Sequence, residues 1–157
     1  MSTPKRGVSS KPASPERLVL YLDSSALIAL ILEQPWTEEV LRLVGQHPEC
    51  ITLDIAYAEV GSALARARWE DRLDEEGYIL AVEQLDQIWL ENLNILPNSV
   101  ACSKMALKLA AAHAPHLRGM DSLHLAAALE QHRTLAVGFL TYDERLKSIA
   151  EALMPLP

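Results

Sequence analysis

The stretch "RLVLYLDSSALIAL", Arg17 to Leu30, sets a run of five apolar residues, Leu18 to Leu22, directly against Asp23-Ser24-Ser25 and a second apolar block from Ala26. Val19 and Tyr21 give the first run β-forming character, and its length suits a buried strand. The second block reads as a helix over 25–32. Asp23 stands alone between two buried segments. It is either a cap that helps turn the chain or a charge held beside the core for chemistry. Ser24 or Ser25 can cap that helix without it, so both readings stay open.

The strand-then-helix order recurs. After Pro35, residues 37–45 read as a helix, with Thr37 as its cap and Glu38 and Glu39 in its first turn. "CITL" (50–53) is a second strand. Asp54 opens an Ala-rich helix with Ala56, Val60, Leu64 and Ala67 at helical spacing, and Gly61 inside it invites a close neighbour. Asp74 opens a long helix whose stripe Tyr78, Val82, Leu85 and Trp89 reads as core or subunit interface. "LNIL" (93–96) is a short strand, and Ser99 caps a helix over 100–113. A loop from His113 to Gly119 precedes the helix "MDSLHLAAALEQH"; "TLAVGFL" (134–140) is a strand and "YDERLKSIAEAL" a helix. Strands separated by helices predict an α/β fold, a small parallel sheet covered on both faces.

The chain has 157 residues, enough for one domain with one sizeable core. Half of it is hydrophobic but only 5% aromatic, so the core rests on Leu, Ala, Ile and Val. Residues 1–16, Pro- and Ser-rich and basic, read as a disordered leader, and 17–157 as the domain. The leader lacks the apolar stretch of a secretory signal, and no apolar run reaches the ~18 residues of a membrane span. Two cysteines without a CxxC, Cys50 and Cys102, fit a reduced, cytoplasmic setting and small core positions.

Net charge is −7. Residues 1–17 hold four of the 14 basic residues and one of the 21 acidic ones, so residues 18–157 carry 10 basic and 20 acidic residues, a net of −10. That balance argues against a general nucleic-acid binder, which needs positive surface.

Four acids stand out by position. Asp23 and Asp143 follow strands, Asp121 lies at the start of a helix, and Glu59 lies one turn into the helix after the second strand. In open α/β sheets ligands bind beyond the carboxyl ends of the strands. Each acid alone has a plain reading, a cap or a solvated helix residue. Converged, they would repel and need protons or a cation to coexist, and an oxygen-only set suits Mg2+ or Mn2+ rather than zinc.

The order Tyr21-Leu22-Asp23-Ser24-Ser25, Ala58-Glu59-Val60, Asp121-Ser122-Leu123-His124-Leu125-Ala126-Ala127-Ala128 and Leu140-Thr141-Tyr142-Asp143 resembles the PIN domain, most of all the VapC toxins of toxin–antitoxin pairs. The resemblance covers about residues 18 to 153. It implies a three-layer α/β/α sandwich and a metal-dependent endoribonuclease. The family's four acids fall on Asp23, Glu59, Asp121 and Asp143, as ligands of Mg2+ or Mn2+, and its Ser or Thr two places before the last acid falls on Thr141. It implies further an RNA substrate, a homodimer and a cognate VapB-like antitoxin. Arg66 and Arg118 are candidates for phosphate contacts. His124, one turn after Asp121, reads as a packing or hydrogen-bonding residue, and Trp36 and Trp69 as packing rather than base stacking. Two other classes are an interaction module of this fold without turnover and a haloacid-dehalogenase-type phosphatase. The latter normally has a second Asp where this chain has Ser25.

Overall fold

The computed structural model describes residues 18–155. Four strands alternate with helices: β1 (Val19–Leu22), α1 (Ser24–Ala29), α2 (Thr37–Gln46), β2 (Cys50–Leu53), α3 (Ala56–Trp69), α4 (Glu75–Glu91), β3 (Asn94–Leu96), α5 (Val100–Ala112), α6 (Gly119–His132), β4 (Val137–Leu140) and α7 (Glu144–Leu153). The strands form one parallel sheet in the order β3-β2-β1-β4. The reading of residues 1–16 as a leader lies outside the described residues.

Strand alternation splits the core in two. Val19, Tyr21, Ile51 and Leu53 face one way and pack with Ala106 of α5, Leu125 to Ala128 of α6, and Leu146 and Ala150 of α7. Leu20, Leu22 and Cys50 face the other way and pack with Ala26 and Leu27 of α1, Val60 and Leu64 of α3, and Leu85 of α4. The result is the three-layer α/β/α sandwich. Tyr78, Val82 and Trp89 pack partly buried against the second cluster, so that stripe is core. Cys50 and Cys102 are free thiols, both buried.

The chain leaves β1 towards β2 and β3 on one side, and β4 returns on the other. β1 is therefore where the strand order reverses, and the carboxyl ends of β1 and β4 meet in register, Leu22 opposite Leu140. Asp23 and Thr141 follow these partners, and the Asp23 N–H donates to the Leu140 carbonyl at 3.2 Å. A strand switch point of this kind opens a crevice at its carboxyl edge.

Several local expectations differ from the structure. α1 stops at Ala29, and Leu30 to Leu32 form tightened turns. Thr37 does not cap α2: it is the first helical residue, and its hydroxyl donates to the Ala29 carbonyl at 2.9 Å, holding the end of α1. Asp54 does not cap α3 either, since its carboxylate accepts the Asn98 N–H at 3.1 Å. β4 begins at Val137, because the Thr134 and Leu135 N–H groups both turn back to the Gln131 carbonyl. Gly61 has no close neighbour; a Cβ there would meet nothing within 4 Å.

Candidate active site

Asp23 is both cap and buried acid. Its Oδ1 accepts the Ala26 N–H at 3.0 Å, closing α1, and the Ser25 hydroxyl at 2.6 Å, yet the residue is only 4% exposed. Burial raises its pKa, against the opposing pull of Ser25, Thr141 and the Ala26 N–H. Thr141 is buried beside it; its Oγ1 also accepts the Asp143 N–H at 3.2 Å. The Ser25 hydroxyl in turn accepts the Tyr142 N–H at 3.0 Å, so the β4–α7 turn is tied to the start of α1.

Asp143 caps α7: its Oδ1 accepts the Arg145 and Leu146 N–H groups at 2.9 and 3.0 Å. Asp121 lies in the first turn of α6 without capping it. Its pKa is raised, first by burial, then by the charges of Asp143 and Asp23, with a smaller push from Glu59 against a lowering by His124. Asp121 is thus the group that feels the charges of the other three acids. Glu59 reaches in from α3, on the opposite layer, and its Oε2 meets His124 Nε2 at 2.6 Å.

Beside the acids lies a cleft of about 310 Å³, where Asp121 and Asp143 share the walls with Arg118, Arg145, His116 and Tyr142. A cavity of about 530 Å³ adjoins it through His116 and Arg145. Trp36 stacks on the Tyr142 ring, 4.9 Å between centroids and 9° from parallel. Arg118 is exposed at the start of α6; Arg66 is exposed two turns along α3 from Glu59. Trp69, at the end of α3, is 84% exposed and packs little.

The donor chemistry suits a hard divalent cation: an all-oxygen set of acids in which Asp121, beside an open cleft, has its pKa raised by burial and by the charges of the other three. Among the described residues no three His, Cys, Asp or Glu side chains form a ready cage. Mg2+ does not require one, since it keeps several waters and takes one or two carboxylates.

The PIN domain model matches residues 20–152, from β1 to α7. This chain belongs to the PIN domain family. Two curated ribonucleases of Mycobacterium tuberculosis are similar along most of their length. VapC47 is 30% identical over 83% of this chain and 88% of its own. VapC46 is 33% identical over 85% and 92%. Among solved structures, FitAcB from Neisseria gonorrhoeae superposes with a TM-score of 0.65 at 20% identity, over 85% of this chain and 94% of that one. VapC20 of M. tuberculosis, described as a sarcin–ricin loop cleaving toxin, gives 0.63 at 13% identity, over 83% and 94%. These two likenesses concern the fold. They agree with the order of layers in this VapC-like PIN domain.

Asp23 and Thr141 lie side by side after β1 and β4, the Thr141 hydroxyl accepts the Asp143 N–H, Asp121 feels the charges of Asp143, Asp23 and Glu59, and Glu59 meets His124 of α6. Arg118 lines the cleft with Asp121 and Asp143. Sequence patterns did not point to Ser25 or Arg145, nor to the Glu59–His124 bond. A hydroxyl two places after the first acid, and an Arg two places after the last, were the available local signals.

Proposed function

We propose that this chain is an endoribonuclease, the toxin of a toxin–antitoxin pair, and that its cleavage depends on Mg2+ or Mn2+. The observation that carries this reading is the coupling of Asp121 to Asp143, Asp23 and Glu59 beside a cleft that also holds arginines. Asp23, Glu59, Asp121 and Asp143 would hold the cation, directly or through water. Bound there, it supplies acidification of water and charge stabilisation on a phosphoryl group. The chain's own residues do the rest. Asp23 is held in place by Ser25, Ala26 and Thr141, so its carboxylate keeps one orientation. Arg118 and Arg145 place phosphates along the cleft, and Arg66 contacts RNA farther out. Water attacks phosphorus in line as the bond to the 3′-oxygen breaks, leaving a 5′-phosphate and a 3′-hydroxyl.

Partners follow the same reading. α3 and α4 leave Trp69, Ile79, Leu80 and Leu90 exposed, apolar surface of the sort that a second copy or an antitoxin covers. The protein acts as a cytoplasmic homodimer, and a VapB-like antitoxin silences it by laying a segment across the cleft. No helix among the described residues is long and apolar enough to cross a membrane.

The test is cleavage of single-stranded RNA by purified protein with Mn2+, with excess chelator, and with Asp23→Asn. Cleavage that survives chelator overturns the metal reading. A folded wild-type protein that cleaves no RNA with either ion overturns the enzyme reading in favour of an interaction module. Light scattering at twice the 17.4 kDa chain mass checks the dimer.

A further inference from the structure

Asp23 and Asp143 follow β1 and β4 and Asp121 lies in the first turn of α6, whereas Glu59 lies in the first turn of α3. It belongs to α3, whose buried face Ala56, Val60, Leu64 and Ala67 packs in the core on one side of the sheet. His124 belongs to α6, on the other side. Their side chains meet across the edge, Nε2 to Oε2 at 2.6 Å, with His124 1% exposed and the Glu59 side chain 20% exposed. Among the described residues His124 is the only hydrogen-bond partner of the Glu59 side chain. The ring is anchored from beneath. Tyr21 of β1, fully buried, places its hydroxyl 2.9 Å from His124 Nδ1, and the two rings meet edge to face.

The protons have a consistent arrangement. An ionised Glu59 only accepts, so the hydrogen between the two is on Nε2. At Nδ1 the Tyr21 hydroxyl serves either state of the ring, donating to a neutral imidazole and accepting from an imidazolium. Burial keeps Tyr21 protonated by pushing its pKa well up. The chain of hydrogen bonds runs from Tyr21 through His124 to Glu59. It occupies one carboxylate oxygen and leaves the other without a hydrogen-bond partner among the described residues.

We propose that His124 is a positioning residue for this site: seated on the Tyr21 hydroxyl, it holds the Glu59 carboxylate at the acid cluster from across the sheet. The inference rests on the ribonuclease reading for its kinetic readout, but not for its binding one. Without His124, Glu59 is a flexible side chain on a helix of the opposite layer, with several rotamers that point away from Asp121. The competing account is a buried histidine that merely satisfies the core.

The test compares His124→Leu, His124→Gln, Tyr21→Phe and Glu59→Gln, and the double variant of His124→Leu with Glu59→Gln. Turnover and KM are read on a cleaved single-stranded RNA, and Mn2+ affinity is read by thermal titration without RNA. Losing an outer partner of a metal-site residue typically costs about 10–100-fold. His124→Leu should lower kcat and Mn2+ affinity in that range with KM little changed. His124→Gln, which can return an N–H near the Nε2 position, should recover part of both. In the Glu59→Gln background His124→Leu should add almost nothing, because the two residues act as a unit. Multiplying losses, or variants that melt earlier while kcat and Mn2+ affinity stay at wild type, overturn the proposal. If His124→Leu does not fold, Tyr21→Phe reads the same coupling: a smaller loss in the wild-type background and none beside Glu59→Gln. An equal loss in both backgrounds overturns it. Should the wild type cleave no RNA, the ribonuclease reading fails, and the Mn2+ titration alone still decides the positioning role.

Discussion

Asp23→Asn separates two jobs that one carboxylate does. Asparagine keeps the acceptor for the Ala26 N–H at 3.0 Å and the Ser25 hydroxyl at 2.6 Å, and Asn and Asp are near-equal caps. It removes the charge. In the metal-free fold that charge is unfavourable: burial raises the Asp23 pKa, and the same charge helps raise that of Asp121. The metal-free Asn variant should therefore melt at or above the wild type at neutral pH. Asp23→Ala loses the cap and leaves the Ser25 hydroxyl without its acceptor, at about 1–2 kcal/mol, or roughly 2–8 °C for a chain of this size. A cation that binds only the folded state adds about 2.7 kcal/mol at a hundredfold excess over Kd, roughly 5–11 °C on the same scale. Wild type should gain this and Asp23→Asn distinctly less. The assay is calorimetry of the three proteins in chelator and across millimolar Mn2+, with sodium chloride matched for ionic strength. A wild-type melting temperature indifferent to Mn2+, or an Asn variant that falls as far as the Ala variant in chelator, refutes the reasoning.

Both Asp23 and Asp121 have raised folded pKa values, so the folded state holds their protons longer than the unfolded chain does. Stability in chelator should fall as pH rises from about 4, the ordinary carboxylate value, through the raised values. Urea unfolding across this range should show a shallower fall for Asp23→Asn. Arg118→Ala should lower the salt slope of RNA binding, measured on inactive Asp23→Asn protein, by about 0.7, one phosphate's worth for a single strand. Arg66→Ala, farther from the cleft, should change it less. Gly61→Ala should stabilise the fold by about 0.5–1 kcal/mol, since the added Cβ meets no atom within 4 Å; the urea midpoint checks it.

Local chemistry was the most legible part of this chain. Asp74, Ser99 and Asp143 cap their helices as their positions suggest, each accepting N–H groups two or three residues on. Strand "CITL" has the expected ends because the segment is buried on both faces and its one polar side chain, Thr52, donates to the Leu22 carbonyl at 2.7 Å. Misreadings arose where a distant partner outbid a local one. Thr37 has the sequence position of a cap, but the Ala29 carbonyl, freed where α1 ends, takes its hydroxyl. Asp54 has the same look, but the backbone after β3 claims its carboxylate. The site shows the same division. Asp23 and Asp143 announce themselves at strand ends, whereas Glu59 looks like an ordinary helix residue. Its bond to His124 spans 65 residues and joins opposite layers, and no periodicity within α3 or α6 encodes that meeting.

The two readings of these acids, cap or functional charge, are not rivals in the folded chain. At Asp143 one oxygen, Oδ1, takes both N–H groups at the start of α7, and at Glu59 one oxygen takes the His124 ring. Among the described residues the second oxygen of each has no hydrogen-bond partner. Asp23 likewise commits Oδ1 to the start of α1. Using one oxygen for the scaffold fixes the direction of the other, since a carboxylate is planar and rigid once one edge is held. A helix start also places the partial positive end of its dipole behind the acid, which eases the repulsion among the cluster without filling the cleft. Capping is thus the means by which α1 and α7 hold like charges close together, and His124 does for Glu59 what those backbone amides do for Asp23 and Asp143. Asp121, which caps nothing, is the acid that depends most on its neighbours: Asp143, Asp23 and Glu59 all raise its pKa.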